Sequence, residues 1–162
     1  MLHLLDANVL IDSARGYFQL DRVPQFWTWL VDEGTAGRIA IPIEIWEEFK
    51  EGDDLLGEWA RTDLVKTSLL TLEDADPELV NGVVTSGYAP NLTDDELIQL
   101  GRDPFLIAYG LADQNDRIVV TSEVSKPSRI RGRRHVPDVC ADLGVQCFGM
   151  VDLINALDFR VS

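Results

Sequence analysis

Four carboxylates from distant parts of the chain stand where an apolar run hands over to the next element, and each is of a type that ligates cations. Asp6 closes the apolar run of "MLHLLDANVLIDS", two residues before Asn8. Glu48 lies near the end of "RIAIPIEIWEEF", where one helical turn could swing it back over the preceding run. Asp103 opens "DPFLIAYGLA", and Glu123 ends "RIVVTSE", directly after Thr121 and Ser122. Singly, each has an ordinary structural use: Asp103 as a helix N-cap, Glu123 as the first residue of a loop, Glu48 on a solvated helix face. Brought together they are costly, because two carboxylates ~4 Å apart repel by roughly 4 kcal/mol at an effective dielectric near 20. A divalent cation removes that repulsion. An all-oxygen donor set with no His or Cys suits Mg2+ or Mn2+ rather than Zn2+. Asn8, Thr121 and Ser122 add neutral groups able to orient a carboxylate or hold a metal-bound water.

The elements that must position these residues are legible as four short apolar runs, at 2–5, 39–43, 118–121 and 145–148, each bounded by polar residues or Gly. Helix-length segments separate them. Phe26, Trp27, Leu30 and Val31 recur at helical spacing, Asp103 and Pro104 are placed as N-cap and first helical residue, and Thr93 with Glu96 forms a capping box. Strands alternating with helices predict an α/β fold, a three-layer α/β/α sandwich with a mainly parallel sheet. In such sheets ligand sites form outside the carboxyl ends of the strands, where Asp6 and Glu123 fall. The stretch from Gly52 to Gly101 reads as helices with a short strand at 68–72. A length of 162 residues with 46% hydrophobic content predicts one core and a single domain over 1–162.

A net charge of −14 argues against a surface that binds nucleic acid simply by being basic. One stretch runs against it. Lys126, Arg129, Arg131, Arg133, Arg134 and His135 crowd into "KPSRIRGRRH", which reads either as a solvated loop or as a phosphate contact. Cys140 and Cys147 lack metal-binding spacing and are expected to pack as reduced hydrophobes. The first residues lack a basic n-region, and Asp6 and Asp12 interrupt the apolar start, so a cytoplasmic protein with no membrane segment is expected.

Taken in order, "LLDANVLID", "IPIEIWEEF", "DPFLIAYGLA" and "IVVTSE" resemble the signature of PIN domains, a metal-dependent ribonuclease fold that includes VapC-type toxins of toxin–antitoxin systems. With the tail "VPDVCADLGVQCFGMVDLINAL", the resemblance covers most of the chain. It implies acidic site positions at Asp6, Glu48, Asp103 and Glu123, with Asn8 in support. It implies Mg2+ or Mn2+ held by Asp6, Asp103 and Glu123, with Glu48 completing the ring or acting through water. RNA is the implied substrate, with Lys126, Arg129, Arg131, Arg133 and Arg134 gripping its phosphates. The implied partners are an antitoxin, with Tyr17, Phe18 and Trp59 as candidates to line its groove, and a second copy in a homodimer. Two departures stand out: Glu123 occupies a position where many members carry Asp, and the 52–101 region is longer than a compact toxin needs.

Two other readings compete. A haloacid-dehalogenase-like phosphatase also places Asp at the end of its first strand, but that chemistry wants a second Asp where this chain has Asn8. The other is a PIN-like binding or regulatory module whose acidic patch turns over weakly or no longer turns over. Metal-dependent cleavage of RNA separates it from the nuclease.

Overall fold

Leu2–Leu5 is leucine at three of its four positions because it becomes an interior strand. A computed structural model describes residues 1–161. In chain order its elements are β1 (Leu2–Leu5), α1 (Ala7–Arg15), α2 (Pro24–Thr35), β2 (Ile39–Ala40), α3 (Ile43–Trp46), α4 (Leu55–Ala60), α5 (Asp63–Leu69) and α6 (Pro77–Gly82). A π-helical turn (Val83–Tyr88), α7 (Asp94–Leu100), α8 (Asp103–Ala112), β3 (Arg117–Val120), a 3-10 turn (Arg131–Arg133), α9 (Val136–Leu143), β4 (Gln146–Phe148) and α10 (Met150–Ala156) follow.

The strands form one parallel sheet in the order β2-β1-β3-β4. Leu4, Leu5, Val119 and Val120 lose all contact with solvent, as central strands of a parallel sheet do when helices cover both faces. The result is a three-layer α/β/α architecture. On it α8 packs against β1, β3 and α9, while α2 packs against β2 and α5. His3 is buried within β1, its ring nitrogen hydrogen-bonded to the Arg38 carbonyl. Among the described residues, no helix is long and apolar enough to cross a membrane.

The structure corrects several local expectations. The second apolar run pairs with β1 only over Ile39–Ala40, because Pro42 has no N–H to give a ladder and Ile43 already begins α3. The short strand expected at 68–72 is instead the end of α5 followed by a single parallel bridge between Ile41 and Leu70. Asp103 is not the N-cap of α8. Arg102 holds that place and Asp103 is the first helical residue, so its carboxylate is released from capping and faces the site. The capping box of Thr93 and Glu96 is present at α7.

Candidate functional site

The register of the central strands builds the site. Leu5 pairs with Val120, so the next residues on each strand, Asp6 and Thr121, lie side by side at the carboxyl ends. Asp6 is buried and caps α1, its Oδ1 accepting from the Ala7 N–H at 2.8 Å. Its Oδ2 accepts from Thr121 Oγ1 at 2.9 Å. That hydroxyl also accepts from Asn8 Nδ2 at 3.2 Å and from the Glu123 N–H at 3.2 Å, so its donor and both lone pairs are engaged. Asn8 Oδ1 accepts from the Ser122 N–H at 2.9 Å. Asn8, Thr121 and Ser122 thus tie the start of α1 to the end of β3.

Glu123 is half-buried, and its Oε2 accepts from the Val136 N–H at 2.7 Å, placing a negative charge at the N-terminus of α9. Asp103 is half-buried, and among the described residues no hydrogen bond holds its carboxylate. Glu48 lies in the hydrogen-bonded turn after α3, exposed, in a hollow with Ile11, Arg15 and Glu51.

Three of these groups are raised by burial and by neighbouring charge. Burial pushes the Asp6 carboxyl up to about 6 against the pull of Thr121, and the charge of Glu123 adds to the rise. Burial, followed by the charges of Asp6, Glu123 and Glu48, pushes Asp103 up to about 8. Desolvation and the charge of Asp6 raise Glu48 to about 7, opposed by Arg102. The coupling acts through space. Among the described residues, no three His, Cys, Asp or Glu side chains stand close enough together to hold a metal ion as they are placed. Asp103 and Glu123 share one pocket, Asp6 is buried beside them, and Glu48 reaches the group from the neighbouring hollow.

The pocket holding Asp103 and Glu123 has a volume of about 390 Å³, and its other wall is the basic loop, through Arg129, Arg133, Arg134 and His135. The five cations of that loop divide by partner. Arg131 makes a two-pronged pair with Glu96, at 3.0 Å to each oxygen, and also reaches Asn91. This pairing holds the Glu96 carboxyl down to about 2. Arg134 donates to the carbonyls of Gly87 and Asp138 and to the Asp142 carboxylate. Lys126, Arg129 and Arg133 are exposed, and no side-chain hydrogen bond or ion pair engages them among the described residues. The loop is pinned at its base, where Ser125 and the Lys126 N–H donate to Asp138 and the Val124 carbonyl meets His135.

Sequence reasoning missed Tyr88, which lines the same pocket from the π-helical turn. Its only signal was an aromatic residue in the stretch "GVVTSGYAP" within the 52–101 region. Of the groove candidates, Tyr17 is exposed, Phe18 stacks on Phe26 at 4.3 Å, and Trp59 sits edge-on to Trp27. Cys140 and Cys147 are both free thiols.

No solved structure matches the chain. Its sequence matches a protein family from residue 3 to residue 161, nearly its whole length. The chain therefore belongs to the family described as a domain of unknown function, DUF4411.

Proposed function

We propose that this chain is a PIN-like, divalent-metal-dependent endoribonuclease that hydrolyses RNA phosphodiester bonds beside Asp6, Glu48, Asp103 and Glu123. The observation that carries this reading is the pocket in which Asp103 and Glu123 face the guanidinium groups of Arg129 and Arg133, beside the buried Asp6, with Asp6, Asp103 and Glu48 raised by burial and by neighbouring carboxylate charge. Active sites are where burial and like charge are arranged to shift pKa values in this way.

The donor set fits a hard cation, since it is all oxygen and its protonation is the alternative to neutralisation by a metal. Asp6, Asp103 and Glu123 would hold Mg2+ or Mn2+, with Glu48 close by. The ion would supply a lowered pKa for an attacking water and a counter-charge for the leaving oxygen. The chain's own residues do the rest. Thr121 fixes the rotamer of Asp6, Asn8 holds the end of β3 in place, and Arg129 and Arg133 draw phosphates toward an otherwise repulsive pocket. Water adds to phosphorus, the bond to the 3′ oxygen breaks, and that oxygen leaves with a proton. No nucleophilic side chain is needed.

Incubation of total RNA with the protein in Mg2+ or Mn2+ tests the reading. The parent should cleave, and Asp6→Asn should not, while keeping the parental circular-dichroism spectrum. Cleavage by Asp6→Asn at the parental rate, or none by the parent, would overturn it. Metal-stimulated RNA binding without cleavage would move the assignment to a PIN-like binding module. A toxin role in the cytoplasm extends the same proposal. It requires a small protein that copurifies from the native host and suppresses cleavage.

A further inference from the structure

A buried tyrosine hydroxyl normally finds a partner, because leaving one unmade forfeits its solvation with nothing in return. Tyr88 is 7% exposed, and among the described residues its enclosed hydroxyl has no hydrogen-bond partner. The ring nevertheless lines the pocket of Asp103, Glu123, Arg129 and Arg133.

Its placement is enforced from both sides. Tyr88 ends a π-helical turn, a rare geometry that concentrates at functional sites, and the Ala89 N–H closes the turn on the Val84 carbonyl. Arg134 clamps the carbonyl of Gly87, the residue before it. A side chain at Gly87 would bring its Cβ to 2.7 Å from Val139 Cγ1, so α9 packs directly on this backbone. Burial and the charges of Asp103 and Glu123 raise the phenol's pKa, leaving it a donor at neutral pH. The fold thus spends an arginine, a glycine and a π-helical turn to hold one unused O–H beside the carboxylates.

We propose that Tyr88 is a further substrate-contacting residue of this site, its ring turning into the pocket it lines so that the hydroxyl donates to a non-bridging phosphate oxygen of RNA bound between Asp103 and the free arginines. The assignment rests on the ribonuclease reading. A phosphate is the acceptor that fits: it is anionic, it is what Arg129 and Arg133 attract, and its oxygens accept in any orientation.

Tyr88→Phe removes only the hydroxyl. Affinity for a short RNA measured in Ca2+, taken as a metal that supports binding without cleavage, should fall about tenfold to a hundredfold. The thermal midpoint should hold or rise. RNA carrying a single phosphorothioate at the cleaved linkage supplies the readout that a structural role would not move. One of its two diastereomers should weaken binding by the parent and leave Tyr88→Phe unaffected, since sulfur replaces the oxygen that the phenol contacts. A lowered midpoint would show a structural hydroxyl and overturn the proposal, as would equal sensitivity of both proteins to both diastereomers. Parental binding and cleavage by Tyr88→Phe would overturn it while leaving the nuclease standing. A parent that neither binds nor cuts RNA would sink both.

Discussion

Thr121 Oγ1 donates a 2.9 Å hydrogen bond to Asp6 Oδ2 across 115 positions of sequence, joining the carboxyl ends of the two central strands. The same oxygen accepts from Asn8 and from the Glu123 backbone. Thr121→Val keeps the shape but strands three buried or half-buried polar groups, at a cost of roughly 1–3 kcal/mol. Because this bond lowers the Asp6 pKa, its loss should also push Asp6 further above about 6. Urea denaturation and a carboxyl-carbon NMR titration of Asp6 read the two effects. Thr121→Ser should restore both.

The acid groups set a pH dependence for the metal-free protein. Carboxyls in the unfolded chain ionise near 4, whereas Asp6, Glu48 and Asp103 are raised to about 6, 7 and 8 in the fold. Across that window the folded state binds more protons, so stability is greatest below it and falls as pH rises toward 8. His3, lowered by burial, acts in the opposite sense and removes stability below about pH 6.5. Thermal midpoints should therefore peak in mild acid. Added Mg2+ or Mn2+ should raise them most at pH 8.

Asp103→Asn should abolish cleavage yet stabilise the metal-free protein at pH 8. The midpoint should climb by roughly 2–4 °C for each kcal/mol of repulsion relieved in a domain of this size. At pH 5, where Asp103 is already protonated, the gain should vanish. A destabilised variant at pH 8 would mean that the carboxylate has a structural partner.

The basic loop should split into two kinds of residue. Arg129→Ala and Arg133→Ala should each flatten the salt dependence of single-stranded RNA binding by about 0.7 and leave the midpoint alone. Arg131→Ala should lower the midpoint and spare the salt slope, since Arg131 is held by Glu96 and Asn91 with a φ of 54° that few side chains adopt. A steepened or unchanged slope in all three variants would remove the loop from the RNA path.

Much of this arrangement was legible from local pattern. Four apolar runs marked the strands, and their polar successors marked the site, because a buried parallel strand must be apolar throughout and must end in something else. The capping box at Thr93 was equally local. What stayed hidden depends on partners far along the chain. The Arg131 pair spans 35 positions and the Arg134 clamp on Gly87 spans 47. Residues 68–72 carry strand composition, but only Ile41 is there to pair with, so the helix runs on to Leu69. Tyr88 was unreadable because no propensity announces a π-helical turn whose Gly87 carbonyl is held by an arginine 47 positions away.

Gly34 offers a test of packing away from the site. Alanine in a helix interior ordinarily gains about 1 kcal/mol over glycine. Here the added Cβ would stand 2.5 Å from Leu69 Cδ2 and 2.6 Å from the Ser68 carbonyl, forcing α2 off α5. Gly34→Ala should therefore destabilise by about 1–2 kcal/mol net in denaturant. A gain in stability would show that the two helices separate freely.

The strand order has a consequence during synthesis. β1 is made first, but its central neighbour β3 is not complete until residue 120, and Glu123 comes later still. A ribosome-bound chain that has released only its first hundred residues holds Asp6 and Glu48 without Asp103, Thr121 or Glu123. The pairing that assembles the carboxylates is among the most non-local in the fold and closes slowly. On the nuclease reading, a nascent chain is harmless to the message that encodes it until the residues through Glu123 have left the ribosome.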